Sequence, residues 1–321
     1  MEYRKIKNLD KKVSRIIFGS SGAFKLPEEQ SFKLLDDMFS LGINTFDTAA
    51  VYGNDGETKL IKWIAERDIH DKVVLITKGA HHNAWRKRLT PFDIMSDVTD
   101  SLSKKGADYI DIYLLHRDDP SVPVAPIIDT LNRLYDSGKI RTFGASNWTS
   151  ERIEMANEYA YKFNLMPFSS ISPHYGLAEQ VKDPWSGGVT ISGESNIKSR
   201  EYYKANQMPI FCYSSLGKGF CSGKFKSHEK DKATEILSNE TKRGYMYDCN
   251  FERLKRAEIL SEKLNINIPQ ISLAWLTSQE LNTFPIIYTS KKSSMIENIS
   301  ALDIKLNQKE IEYLDLLREE I

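Results

Sequence analysis

The sequence predicts an α/β fold, a closed parallel (β/α)8 TIM barrel with an N-terminal hairpin and an extra C-terminal helix, on three observations. Eight apolar, β-rich runs recur roughly 30 to 40 residues apart over most of the 321 residues. Each run is followed by a segment of helical period. Several runs stop on a polar residue, as barrel strands do at the C-terminal face, and an open doubly wound sheet fits so many βα repeats less well. The 40% hydrophobic content suffices for one large core, and no composition shift, low-complexity segment or further repeat marks a boundary. Residues 1–321 are therefore expected to form a single barrel domain.

The elements follow in order. The stretch "YRKIKNLDKKVSR" (3–15) alternates about an Asn-Leu-Asp-Lys turn, as a hairpin covering the barrel's bottom would. "RIIFGS" is the first barrel strand, and "PEEQSFKLLDDMFSLG" places Phe32, Leu35, Met38 and Phe39 on one helix face before Gly42. "NTFDTA" precedes a helix with Leu60, Ile61 and Ile64 on one side. "KVVLITK" precedes a helix opened by Thr90 and Pro91, a cap and first-turn pair, with Ile94, Val98 and Leu102 at four-residue spacing. "YIDIYLLH" is paired with "APIIDTLNRLYDSGK", and "RTFGASN" leads to a helix capped by Thr149. "FSSISPHY", "PIFCYSSLG" and "FPIIYTS" complete the strands, the last before "SSMIENISAL". "NQKEIEYLDLLREE" (307–320), with Asn307 as cap and Glu310 three residues on, reads as the extra helix. Two segments, 183–193 and about 227–250, read as long loops, which are more often functional than idle.

Lys+Arg and Asp+Glu balance at 44 each, so the overall charge recruits neither nucleic acid nor an anionic membrane surface. No apolar run has the length of a membrane span, and "MEYRKIKNLD" lacks an apolar signal-peptide core, which argues for a soluble, cytoplasmic chain. Cys212, Cys221 and Cys249 form no CxxC pair and cannot all pair within the chain, so reduced thiols are expected. A small-molecule partner is the expectation that remains.

The polar strand ends are Asp47, Lys78, His116, Asn147 and the pair Tyr213/Ser214. Asp47 and Lys78 end neighbouring strands, so an ion pair between them meets the cost of burying a carboxylate. Tyr52 lies in the loop after Asp47 and can fold back over that pair. A phenol titrates at about 10, too high for ready proton exchange near neutrality, and an adjacent ammonium lowers it. A hydroxyl tuned in this way can donate to an oxygen becoming an alkoxide, with His116 orienting the same oxygen.

These four residues resemble the tetrad of the aldo-keto reductases. "GINTFDTAAVYGNDGETKL" is similar to that superfamily's acid-and-tyrosine signature, "VVLITKG" to its lysine strand and "DYIDIYLLHRDDP" to its histidine strand. "GKIRTFGASNW", "CYSSLGKGFCSGK" and "IENISALDIKL" are similar to its cofactor segments. Several such words in one order, spanning nearly the whole chain, are far more specific than any one of them. The resemblance implies reversible hydride transfer between a nicotinamide cofactor and a carbonyl, with Tyr52 as general acid in reduction, Lys78 and Asp47 tuning it, His116 orienting the substrate, and no metal. It implies a monomer or homodimer.

The same resemblance implies that Ser146 and Asn147 hold the nicotinamide carboxamide, that Tyr213 stacks on the ring, and that Ser214, Leu216, Gly217 and Gly219 contact the pyrophosphate. Ser172 stands where many members carry glutamine, a departure that weakens one carboxamide contact, since a serine cannot span the same distance. Ser290 and Ser294, with Lys291 and Lys292 beside them, align with the segment that holds a 2′-phosphate, and Lys224 and Arg243 on the long seventh loop match basic positions that clamp the cofactor, which favours NADPH over NADH. Glu297 and Asn298 match adenine contacts.

Taken singly, each of these residues has a bland reading: Asp47 as a turn residue, Lys78 as a solvated charge, His116 as a core histidine. Their joint placement on consecutive strand ends favours the functional one. Trp85, Trp148 and Trp185, all in loops of the catalytic face, are expected to line a substrate pocket. The His81/His82 pair reads as surface, because two adjacent histidines without a third ligand seldom bind metal. Two other classes are weighed: a slow or non-catalytic cofactor-sensing binding subunit, and an aldolase using Lys78 as a Schiff-base nucleophile. The latter needs a neutral amine, which Asp47 disfavours.

Overall fold

The structure is a computed structural model that describes residues 1–53, 55–104 and 106–321. The strand order is that of a closed parallel (β/α)8 barrel, with an antiparallel two-stranded hairpin ahead of it. Contacts gather into two compact units, Met1–Ser172 with Tyr288–Lys292, and Pro173–Ile287 with Ser293–Ile321.

In the first unit the hairpin strands β1 (Tyr3–Arg4) and β2 (Val13–Ser14) pair with Tyr3 opposite Ser14, as the alternation predicts. Lys11, from the turn between them, reaches Asp111 at 2.7 Å and donates to the Val73 carbonyl. The hairpin is thereby fastened by a charge pair whose acid, Asp111, is fully buried and whose Lys11 is half-buried. The βα units are β3 (Ile17–Gly19) with α1 (Glu28–Ser40), β4 (Thr45–Asp47) with α2 (Gly56–Glu66), β5 (Val74–Gly79) with α3 (Pro91–Leu102), β6 (Ile110–Leu115) with α4 (Val124–Asp136), and β7 (Ile140–Ser146) with α5 (Ser150–Lys162), followed by β8 (Ile171–Ser172).

The helices form where the apolar period placed them, and Phe32, Leu35, Met38, Leu60, Ile61, Ile64, Ile94 and Val98 are all buried. Thr90 builds a capping box with Asp93, and Thr149 accepts from the Arg152 N–H, satisfying donors that a helix start leaves open.

Register decides which side chains share a face. Asp47 lies opposite Ile76, and Lys78 is two residues further on; Lys78 lies opposite Leu114, and His116 is two residues further on again. Steps of two keep side chains on the same face of a strand, so the stagger of a barrel carries Asp47, Lys78 and His116 along one inner face near its rim.

The second unit contains α6 (Ile197–Asn206), β9 (Ile210–Cys212), α7 (Lys230–Ile236), α8 (Asn239–Tyr245), α9 (Asp248–Leu264), α10 (Ile268–Thr277), β10 (Thr283–Ile287), α11 (Lys292–Ser300, all but its first residue) and α12 (Gln308–Leu314). Phe211 and Phe284 meet edge to face at 5.6 Å where β9 and β10 run parallel.

Two expectations are corrected here. The segment 227–250 is mostly helix, α7 and α8 with the start of α9, because Ser238 caps α8 and the buried Ala233, Thr241 and Tyr245 anchor a polar stretch whose own period is weak. The terminal helix keeps its predicted Asn307–Glu310 capping box but ends at Leu314, since Leu316 turns into the left-handed region at φ +66°. Among the described residues no helix is long and apolar enough to cross a membrane.

Candidate active site

The first unit brings Asp47, Tyr52, Lys78 and His116 together. Asp47 closes β4 and is 3% exposed. Beyond it the chain clings to β5, with Thr48 N–H donating to the Ile76 carbonyl at 2.9 Å and Ala50 N–H to that of Lys78 at 3.0 Å. Tyr52 N–H then donates to the Ala49 carbonyl at 3.0 Å, a tight turn that returns the phenol over the strand ends.

Lys78 is 3% exposed, donates to the Asp47 carboxylate and to the Thr48 carbonyl at 2.9 Å, and lies 5.3 Å from the centre of the Tyr52 ring. The His116 ring stands edge-on to Tyr52, with centres 6.0 Å apart.

Electrostatics sharpen the arrangement. Burial is the largest influence on Lys78 and acts to lower it, but Asp47 and Tyr52 together outweigh it and hold the ammonium above its ordinary value. A charged Lys78 does not suit a Schiff-base nucleophile. Burial pushes the Asp47 carboxyl up, with Lys78 pulling against it. The Tyr52 phenol is also raised, by burial first and by the Asp47 charge, while Lys78 and Arg117 act to lower it. The expected net lowering of Tyr52 is therefore corrected: desolvation of a phenolate outweighs the neighbouring ammonium. Burial, then Lys78 and Arg117, press His116 well below the usual imidazole value, so its ring is neutral. Its Nδ1 is buried, with no hydrogen-bond partner among the described residues.

The cofactor candidates fall in both units. In the first, Ser146 ends β7 and donates to the Ser172 carbonyl at 2.7 Å. Asn147, at φ +59°, donates through Nδ2 to the His116 carbonyl at 3.1 Å and to Ser146 Oγ at 3.0 Å. Ser290 is exposed, Lys291 makes no ion pair among the described residues, and Lys292 is tied to Asp37 at 3.2 Å and Ser40 at 2.8 Å on α1.

In the second unit, Tyr213 presents a half-buried ring that is edge-on to Trp185 at 5.7 Å and donates to the Val189 carbonyl at 3.2 Å. Ser214 and Gly217 both have positive φ, and Gly217 N–H and Gly219 N–H donate to the Ser214 and Leu216 carbonyls at 2.7 and 3.1 Å. Those two backbone donors are engaged within the turn itself. An added Cβ at Gly219 would meet only Leu237 at 4.0 Å, leaving that backbone approachable, whereas Gly217 is confined by Phe220 and Ala178. Lys224 and Arg243 are exposed, Ser294 is half-buried, Asn298 is buried, and Glu297 accepts from Asn267 Nδ2 at 3.0 Å. A held aromatic face, small residues at an open turn and exposed cations fit a dinucleotide phosphate and its ring.

The tryptophans differ. Trp85 is 89% exposed, Trp148 is buried against Phe168 at 5.3 Å, and Trp185 is half-buried under Lys218 at 5.4 Å. The histidine pair is not surface as expected: both are half-buried, and the His81 ring lies 4.8 Å from that of His116. Among the described residues no group of His, Cys, Asp and Glu could hold a metal.

Sequence reasoning also passed over Glu57. It is buried and accepts from Thr77 Oγ1, from Ser101 Oγ at 2.9 Å and from Lys104, behind the strand that bears Lys78. Its only sequence signal is an acid in the first turn of a helix, which reads equally well as a solvated dipole partner.

Comparison with known proteins agrees with the geometry. The aldo/keto reductase family profile matches residues 15–319. An aldo-keto reductase of Fusarium vanettenii is 28% identical, over 99% of this chain and 91% of its own length. An aldo-keto reductase of Schizosaccharomyces pombe named yakc, NADP(+), is 28% identical over 92% and 85%. A putative voltage-gated potassium channel subunit beta of the same yeast is 24% identical over 91% and 82%. With nearly its whole length inside that profile, the chain belongs to the aldo/keto reductase family, NAD(P)H-dependent oxidoreductases that act on carbonyl and alcohol groups.

Proposed function

We propose that the protein reduces an aldehyde or ketone to the alcohol with NADPH, reversibly, and that Tyr52 is the general acid. The observation that carries this is one buried ammonium, Lys78, paired with the Asp47 carboxylate and 5.3 Å from the centre of the Tyr52 ring, with the neutral His116 beside them. NADPH, when bound, supplies the hydride. The Tyr52 hydroxyl donates its proton to the substrate oxygen as negative charge develops there, and Lys78 stabilises the phenolate left behind. Asp47 keeps Lys78 charged and in place. His116, with Nδ1 buried, carries its single proton at Nε2 and directs it at the same oxygen, fixing the carbonyl's orientation.

In the first unit, Ser146, Asn147, Ser172 and Ser290 are assigned to the cofactor, with Lys291 favouring a 2′-phosphate. In the second, Tyr213, Ser214, Leu216, Gly217, Gly219, Lys224, Arg243, Ser294, Glu297 and Asn298 are assigned to it. The family profile, which runs through residues 15–319 without a break, supports one domain for the whole. A carbonyl panel with NADPH and NADH side by side tests the reading: NADPH is oxidised faster with at least one aldehyde or ketone. No oxidation of either cofactor across the panel refutes it. The alternative, a cofactor-sensing subunit, draws support from the likeness to the potassium channel subunit beta. It predicts cofactor binding with turnover poor throughout the panel.

A further inference from the structure

A neighbour of the tetrad has no part in the reaction above. The backbone beyond β5 is set by α3, where Asp97 accepts from the Ala80 N–H at 2.7 Å and from Arg88 at 3.1 Å. Gly79 leaves no space for a side chain, since an added Cβ would lie 2.1 Å from Tyr113 Oη and 2.8 Å from Asp97 Cβ. Ala80 follows in the left-handed region at φ +57°. This fixed turn is what sets the His81 ring against His116, with centres 4.8 Å apart and planes at 75°.

The chemistry of His81 is also fixed. Its Nδ1 lies 2.8 Å from the His82 carbonyl oxygen, which can only accept, so that bond assigns the proton to Nδ1 and leaves the lone pair on Nε2. Burial holds the ring below the usual imidazole value, the bond to His82 opposing and the charges of Arg117 and His82 assisting, and these with His116 are the titratable and charged groups facing it among the described residues. A neutral acceptor thus stands beside the imidazole that orients the substrate oxygen. Ring centres this close suit two oxygens on adjacent carbons.

We infer that His81 determines specificity: its Nε2 accepts a hydrogen bond from a hydroxyl on the carbon next to the reacting carbonyl, so the substrates are hydroxylated aldehydes or ketones. The inference rests on the carbonyl-reductase reading. A hydrocarbon chain in that place leaves the acceptor unpaired as the site closes over it, and a site built for a substrate hydroxyl discriminates strongly against an analogue that lacks one.

The test uses lactaldehyde and propanal, which differ only in that hydroxyl, with NADPH and the full-length protein. Wild-type protein prefers lactaldehyde in kcat/KM. In His81→Phe, which keeps a ring beside His116 but offers no acceptor, the lactaldehyde-to-propanal ratio falls about tenfold, chiefly through KM. His81→Gln, with its carbonyl acceptor, restores most of the ratio. A wild-type enzyme without preference, a ratio unchanged in His81→Phe even where both rates fall, or a His81→Gln no better than His81→Phe overturns the inference alone. Wild-type protein that fails to oxidise NADPH with lactaldehyde, propanal or any other carbonyl refutes the underlying reading and the inference with it.

Discussion

Replacing Lys78 with methionine keeps most of the side chain's length and apolar surface but removes the ammonium. In the folded protein that ammonium and the Asp47 carboxylate are each 3% exposed, and among the described residues Lys78 is the cation paired with Asp47. Lys78→Met therefore strands a carboxyl group that burial already disfavours in its charged form. Breaking a buried pair from one side costs about 3–5 kcal/mol. For a chain of this size that lowers the unfolding midpoint by on the order of 5–10 °C. Adding Asp47→Asn removes the stranded charge, so the double variant regains about 2 kcal/mol or more over Lys78→Met alone. Thermal and urea unfolding of the two single variants and the double variant, measured beside NADPH oxidation, give both readouts. Activity is lost in the two variants that lack Lys78, because Tyr52 has lost its cation there, while stability recovers in the double variant. A Lys78→Met protein destabilised by less than about 1 kcal/mol, or a double variant no more stable than the single, refutes the claim of a coupled buried pair.

Other outcomes follow from the same structure. Because burial raises the Tyr52 phenol above its ordinary value of about 10, its proton is retained through neutral and alkaline solution; kcat for reduction shows no loss from this group until the pH passes about 10, and kcat for oxidation, which needs the phenolate, climbs to that point. A reductive limb falling near neutrality with the Tyr52 signature contradicts this. Burial raises Asp315, which accepts from Trp275 Nε1 at 3.0 Å, to about 6. The folded state then binds this proton more tightly than the unfolded one, so its stabilisation is complete below about 4 and is lost as pH rises through 6, in all on the order of 3 kcal/mol. Asp315→Asn is accordingly the more stable protein at neutral pH and converges with wild type in acid, as urea unfolding across pH would read. Thr90→Ala deletes the capping box of α3 and costs about 1 kcal/mol in the same assay.

Much of this site was legible because barrel geometry turns a one-dimensional feature into a spatial one. A polar residue ending an apolar run becomes a rim residue, and registers two apart put Asp47, Lys78 and His116 on one face without further information. The capping boxes at Thr90 and Asn307 were legible for a similar reason, since both partners lie within one turn. What escaped was set by distant partners. The turn that presents His81 depends on Asp97, 17 residues away, and on the absence of a side chain at Gly79, where Tyr113 closes in. Glu57 finds Ser101 and Lys104 across 44 and 47 residues. The direction of the Tyr52 shift escaped because two opposing influences had to be weighed, and burial is not written in local sequence. The helices within 227–250 escaped because they are short and polar, stable only through the few side chains they bury.

The most direct measurement is Tyr52→Phe, which deletes one hydroxyl and leaves the ring. NADPH binding, followed by quenching of tryptophan fluorescence, is retained, while carbonyl reduction falls by about a hundred- to ten-thousand-fold. Reduction at the wild-type rate in Tyr52→Phe contradicts the account.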